Sequence, residues 1–212
     1  MPITAKICGL STPATLAAAL TGGASHVGFV FFPPSPRHVG FDVAAGLTGQ
    51  VPPHVARVGV FVDPDDALLD GAVAAAKLTT IQLHKTAPPR VAAIRARFAL
   101  DLWAAVAIKT RADLDGARAY AGAADRILYD AKTPDGATLP GGMGVRFDWA
   151  LLDGFAHPQR WALSGGLDAA NVGEAIRRTR APLVDVSSGV ETAPGVKDAT
   201  RIAAFLRAVA AA

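Results

Sequence analysis

Cysteine is almost missing from this sequence. Cys8 is the only one in 212 residues, so no internal disulfide can form and a reducing compartment is expected. No apolar stretch reaches membrane-spanning length before Gly, Pro or a charge interrupts it. The N-terminus has no charged segment leading into a long apolar core, so no signal peptide is expected. Basic runs and basic–aromatic stripes are absent, which argues against nucleic acid as a partner. The five histidines show no metal-ligand spacing and HExxH does not occur, so no metal site is expected. Neither GxxxxGK[ST] nor a full GxGxxG is found: the run Gly142-Met143-Gly144-Val145-Arg146-Phe147 has no third glycine. What these absences leave is a cytoplasmic globular chain with no membrane partner.

The hydrophobic share is 51% and the charged share 18%, enough for a buried core and too apolar for disorder. One domain over residues 1–212 is expected, and the net charge of +3 suits a small anionic ligand. β-like runs at 3–7, 26–31, 55–62, 79–83, 103–108, 125–129, 160–163 and 183–186 are short and mostly apolar, as strands covered on both faces are. Helical patterns rich in Ala and Leu lie between them at 13–20, 42–49, 64–77, 88–98, 111–121, 149–155, 168–178 and 198–211. Asp63-Pro64 and Thr110-Arg111-Ala112-Asp113 read as helix starts. Such alternation predicts an α/β fold with a parallel sheet. Closure into a single (β/α)8 TIM barrel leaves no sheet edge, and an open doubly wound sheet is the alternative.

In a barrel, chemistry sits at the C-terminal ends of the strands. Those ends carry Cys8, then Arg37 and His38 after a proline-stiffened turn, Asp63, Gln82 with His84, Lys109, Asp130, Ser164-Gly165-Gly166 and Ser187-Ser188-Gly189. Cys8 precedes a helix start, Thr12 as N-cap and Pro13 as first helical residue, whose dipole favours a thiolate. A small apolar filler is the bland alternative. Gly165, Gly166, Ser187, Ser188 and Gly189 form a phosphate cradle if they share one mouth, or a plain turn and cap if they do not. Arg37 reads as a fork for a carboxylate or as surface charge. Asp130, after an apolar run, is either a general acid with a raised pKa or a turn-former. His84 is the best pocket histidine, with a structural imidazole as its rival. Alternation puts Lys6 on the face of Cys8 and Asp185 on that of Ser187. Adjacent first and last strands would pair Lys6 with Asp185 near the sulfur and let Lys6 support a thiolate. The glycine-rich segment 133–144 reads as a lid or a loose connector.

Read together, these segments closely resemble one family. Lys6-Ile7-Cys8-Gly9, Gly28-Phe29-Val30-Phe31 with Ser35-Pro36-Arg37, Val58-Gly59-Val60-Phe61 and Ile81-Gln82-Leu83-His84 look like the first half of a phosphoribosylanthranilate isomerase. Leu128-Tyr129-Asp130, Gly141-Gly142-Met143-Gly144 with Phe147-Asp148-Trp149, Leu163-Ser164-Gly165-Gly166-Leu167 with Asn171-Val172, and Asp185-Val186-Ser187-Ser188-Gly189-Val190-Glu191 ending Pro194-Gly195-Val196-Lys197-Asp198 look like the second. The resemblance implies a (β/α)8 barrel of tryptophan biosynthesis that performs an Amadori rearrangement without metal or redox cofactor. It implies Cys8 as general base, Asp130 as general acid, Arg37 on the anthranilate carboxylate, and the glycine pair and serine turn on the phosphate. Gln82, His84 and Asp185 are further expected substrate contacts, the partner is a small phosphosugar, and the assembly is a monomer or homodimer. One departure stands out: the family's motif usually continues with Gly after His84, and here Lys85 follows. The rival readings are another phosphosugar barrel, such as a ribulose-phosphate epimerase or the histidine-pathway isomerase, and a phosphate-binding module without turnover.

Overall fold

Eight parallel strands close on themselves in the computed structural model, which describes residues 3–133 and 141–212. They are β1 (Thr4–Cys8), β2 (His26–Val30), β3 (Ala56–Val62), β4 (Thr80–His84), β5 (Asp101–Ile108), β6 (Arg126–Ala131), β7 (Arg160–Leu163) and β8 (Leu183–Val186). Each strand pairs with its neighbour in sequence, and β1 closes the ring against β8 with Lys6 opposite Asp185. The α-helices among the described residues are α1 (Pro13–Thr21), α2 (Phe41–Thr48), α3 (Asp66–Ala76), α4 (Pro88–Arg97), α5 (Val172–Thr179) and α6 (Ala199–Ala210). A short antiparallel hairpin, β9 (Glu191–Ala193) and β10 (Val196–Lys197), stands between β8 and α6.

Local chemistry sets where these elements start. Thr12 caps α1 by accepting from the Thr15 amide at 3.3 Å, with Pro13 at the first helical position. The start of α3 is two residues later than Asp63-Pro64 suggests. Asp65 is the cap, accepting from the Leu68 amide at 2.8 Å, while Asp63 adopts a left-handed φ of 41°. The 168–178 pattern is helical only from Val172, because Asp168 and Asn171 bond each other's backbone amides and hold a turn ahead of α5. Two expected α-helices are 3₁₀ helices instead, Arg111–Tyr120 and Trp149–Leu152. In the first, Asp115-Gly116 at mid-segment withholds helix propensity; in the second, Asp153-Gly154 stops a run too short to nucleate an α-helix.

The main core lies between strands and helices and includes Leu16, Phe29, Phe31, Phe61, Leu69, Ile81, Ile94 and Phe205. Burying each such side chain is worth about 1.5–3 kcal/mol. Alternate residues of each strand turn into the barrel. Trp103, Leu128, Ala162 and Leu183 form one inner cluster, and Cys8, Val30, Val58 and Val60 another. Beside Trp103, Asp101 accepts from the indole N–H at 2.6 Å and Arg126 lies 5.0 Å over the ring, so polar partners finish this layer.

Lys85, the departure from the family pattern, takes up the strained backbone that its neighbours require, with φ 52° and an exposed side chain. A side chain in this region costs about 1–2 kcal/mol, while glycine loses about 0.5–1 kcal/mol more chain entropy on folding. Lys85→Gly is therefore expected to leave stability unchanged or raise it by up to about 1.5 kcal/mol, a rise of no more than about 6 °C in Tm. Thermal unfolding checks this; a clear loss would mean that the lysine makes a contact that outweighs the strain.

Candidate active site

The mouth of the barrel, at the C-terminal strand ends, opens into one pocket enclosing about 810 Å³ of space, open solvent at its entrance included. Cys8, Arg37, Gln82, His84, Asp130, Gly165, Gly166, Asp185, Ser187 and Ser188 all line it. Gly189 does not; it sits in the adjoining hollow, behind Ser188. His38, Asp63 and Lys109, also at strand ends, are exposed and take no part in the pocket. Most of the glycine-rich segment 133–144, the expected lid, lies outside the described residues. Its far end, Gly141 to Gly144, is described and forms one wall.

Cys8 is the last residue of β1 and 6% exposed. Lys6, one pleat below it, is fully buried and donates to Asp185 on β8 at 2.9 Å. The other Asp185 oxygen accepts from Ser164 Oγ at 3.3 Å. Burial pushes the Cys8 thiol up from its usual range, and Lys6 and Lys197 only partly offset it. The expected resting thiolate is therefore not the outcome: desolvation outweighs the flanking positive charges. Lys6 itself keeps its proton. Burial works against the ammonium, yet its pKa is raised, with the Asp185 carboxylate the leading cause on that side.

Asp130 ends the apolar run of β6 with its side chain turned inward. One oxygen accepts from the Ala131 amide at 2.9 Å, and Gly141 presses so close to the other that a Cβ there would lie 2.6 Å away. Burial, and next to it the Asp185 charge, push this carboxyl up to about 7. Gln82 and His84, two apart on β4, face the pocket together, with Gln82 Nε2 2.8 Å from His84 Nε2. Burial lowers His84 to about 4, so the imidazole is neutral; if the amide donates, the ring proton sits on Nδ1. Gln82 Oε1 is buried with no protein partner among the described residues, an acceptor available to a ligand hydroxyl.

The loops after β7 and β8 meet. Gly165 has φ 91°, and a Cβ on it would stand 2.7 Å from the Ala131 amide nitrogen. Only glycine fits so close a turn. Gly189 packs against the Leu167 carbonyl just as tightly, which brings the glycine pair and the serine turn side by side. Arg37 is buried, not a surface charge: its exposure is 5%. Its guanidinium grips Glu191 in a two-point fork, Nε to Oε1 and Nη2 to Oε2, both at 2.7 Å. Glu191 and Lys197 had no assigned task in the sequence. The usable signal was the Pro194-Gly195 turn, which sets the two opposite each other in the hairpin.

Comparison with known proteins gives the family. The family model described as N-(5'phosphoribosyl)anthranilate (PRA) isomerase matches residues 5–208. The chain belongs to the phosphoribosylanthranilate isomerase family. The N-(5'-phosphoribosyl)anthranilate isomerase of Zymomonas mobilis subsp. pomaceae is 56% identical over 211 residues, covering 99% of each chain. Among solved structures, a phosphoribosylanthranilate isomerase in complex with reduced 1-(o-carboxyphenylamino)-1-deoxyribulose 5-phosphate superposes with a TM-score of 0.86 at 32% identity, covering 99% of this chain and 100% of that one. Monomers of the dimeric phosphoribosylanthranilate isomerase from Thermotoga maritima superpose with a TM-score of 0.85 at 32% identity and the same coverage. As a member of the family, the chain is an isomerase of tryptophan biosynthesis on a TIM-barrel frame. No helix among the described residues is long and apolar enough to cross a membrane.

Proposed function

We propose that the barrel mouth rearranges N-(5-phosphoribosyl)anthranilate to 1-(2-carboxyphenylamino)-1-deoxyribulose 5-phosphate, with Asp130 as general acid and Cys8 as general base. The observation that carries this reading is a single pocket lined by a sulfur on β1 and a buried carboxyl on β6 whose pKa is pushed up. Asp130 gives its proton to the furanose ring oxygen. The C1–O bond breaks, its electron pair stays on oxygen, and the nitrogen lone pair forms a C1=N iminium. Cys8 as thiolate takes the C2 proton, and the released electrons form C1=C2 as those of C1=N return to nitrogen. The enolamine then gains a proton at C1 and loses one from the C2 hydroxyl. Solvent resets the pair by returning a proton to Asp130 and taking one from Cys8.

Positioning supplies the rest. The substrate phosphate lies between Gly165-Gly166 and Ser187-Ser188-Gly189, the carboxylate on Arg37, and the sugar hydroxyls near Gln82 and His84. Asp185 acts at one remove by keeping Lys6 charged below the sulfur. The chain works as one barrel domain, alone or as a homodimer; the Thermotoga maritima relative is described as dimeric.

Adding the purified protein to phosphoribosylanthranilate is expected to abolish the anthranilate fluorescence as the ketose forms. A binding module without turnover would take up the reduced product analogue and leave that fluorescence unchanged. Turnover confined to the histidine-pathway aldose would favour the rival isomerase.

A further inference from the structure

We infer that Glu191, braced by Lys197, is a positioning residue that aims the Arg37 guanidinium at the substrate carboxylate. This rests on the reading of Arg37 given above and adds a residue that acts through it. Nε and Nη2 of Arg37 are taken by the Glu191 carboxylate, and Nη2 also donates to the Gly142 carbonyl at 2.9 Å. Among the described residues Nη1 has no protein acceptor, so its N–H groups are left for a ligand. A planar guanidinium fixed along one edge has little freedom to turn the other.

Glu191 is itself held from behind. Lys197 donates to Oε1 at 2.6 Å, and its side chain is 1% exposed. The same ammonium donates to the Ser187 carbonyl at 3.0 Å, so the carboxylate end and the phosphate turn share one brace. The hairpin carrying Glu191 and Lys197 is seated on Arg37's own loop: a Cβ on Gly195 would come within 2.4 Å of the Pro36 carbonyl. Burial works against the Glu191 carboxylate, yet Arg37 and Lys197 hold it below its usual range, so it stays ionised. Two cations and one anion leave one positive charge over, which matches a single incoming carboxylate.

The sign of one substitution separates aiming from simple electrostatics. Glu191→Gln removes a negative charge beside Arg37, which by Coulomb's law alone tightens an incoming carboxylate. If Glu191 aims the fork, the same change weakens it. The probes are reduced 1-(2-carboxyphenylamino)-1-deoxyribulose 5-phosphate and its phenylamino counterpart without the carboxylate. The readout is the ratio of their Kd values. Glu191→Gln is expected to cut the preference for the carboxylated probe by about tenfold to a hundredfold and barely to change binding of the other. Arg37→Ala should abolish the preference, and Arg37→Ala/Glu191→Gln should match Arg37→Ala.

A full wild-type preference in Arg37→Ala would overturn the reading of Arg37 and this inference with it. Loss in Arg37→Ala but not in Glu191→Gln would overturn the inference alone. So would equal weakening of both probes, which marks a structural role. Should Glu191→Gln not fold, Glu191→Asp, which withdraws the carboxylate by one methylene, is expected to give an intermediate ratio; an unchanged ratio there also overturns it.

Discussion

Cys8→Ala is expected to lower kcat/KM about a hundredfold to ten-thousandfold while leaving the fold intact, the range typical for loss of one general base. The substitution removes a single sulfur from the cluster with Val30, Val58 and Val60, at the edge of the pocket, so little packing is lost. Substrate binding is expected to survive, because the phosphate turn and Arg37 are untouched. The loss should therefore fall on kcat and leave KM almost alone. Initial rates of fluorescence decay, with a Kd for the reduced product analogue measured beside them, check both halves. A variant that keeps wild-type kcat would remove the sulfur from the chemistry altogether.

Asp130→Asn is expected to move activity and stability in opposite directions. Activity falls by about a hundredfold to ten-thousandfold, since asparagine has no proton to give the ring oxygen. Stability rises. The Asp130 pKa is raised from its ordinary 3.8 to about 7, so the folded chain holds a proton that the unfolded chain has already released across that interval. Folding is then opposed progressively from pH 3.8 upward, and the full penalty is present above about pH 7. The interval from 3.8 to about 7 corresponds to about 4 kcal/mol at most. Asparagine recovers part of it, so Tm at pH 8 is expected to climb by several degrees and the gain to vanish toward pH 4. Thermal melts across this range test the sign; a drop at pH 8 would mean that the carboxylate is better solvated than its burial implies.

The same variant assigns the pH profile. Asp130 titrates near 7 and Cys8 above its ordinary range, so the productive arrangement, acid protonated and thiol ionised, is a minority of the singly protonated pair. In the wild type, kcat/KM should rise through about pH 7 and level off, its rising limb set by the carboxyl. In Asp130→Asn the rise should continue to higher pH, because the thiol alone then sets it. An unmoved rising limb would reverse the order of the two groups.

Much of this architecture was legible in the residues. Short, mostly apolar runs marked all eight strands, and the pairing of Lys6 with Asp185 followed from side-chain alternation once the ring was taken as closed. Less accessible were properties that depend on what surrounds a group in three dimensions. Cys8 before a capped helix suggests an ionised sulfur, but sequence carries no measure of desolvation, and that turned the balance. Arg37 reads equally well as solvent-exposed until a carboxylate 154 positions away is seen to grip it. The 3₁₀ segments were missed because alanine and leucine at helical spacing look alike in either winding.

Lys6 and Asp185 are separated by 179 positions, yet one bond joins them beneath the sulfur. The corner around Cys8 is therefore assembled from the first strand of the barrel and the last. A nascent polypeptide still lacking β8 has Cys8 and Asp130 but neither the counter-charge for Lys6 nor the serine turn. Recovery of isomerase turnover during refolding should consequently report ring closure itself, lagging any signal from the earlier strands.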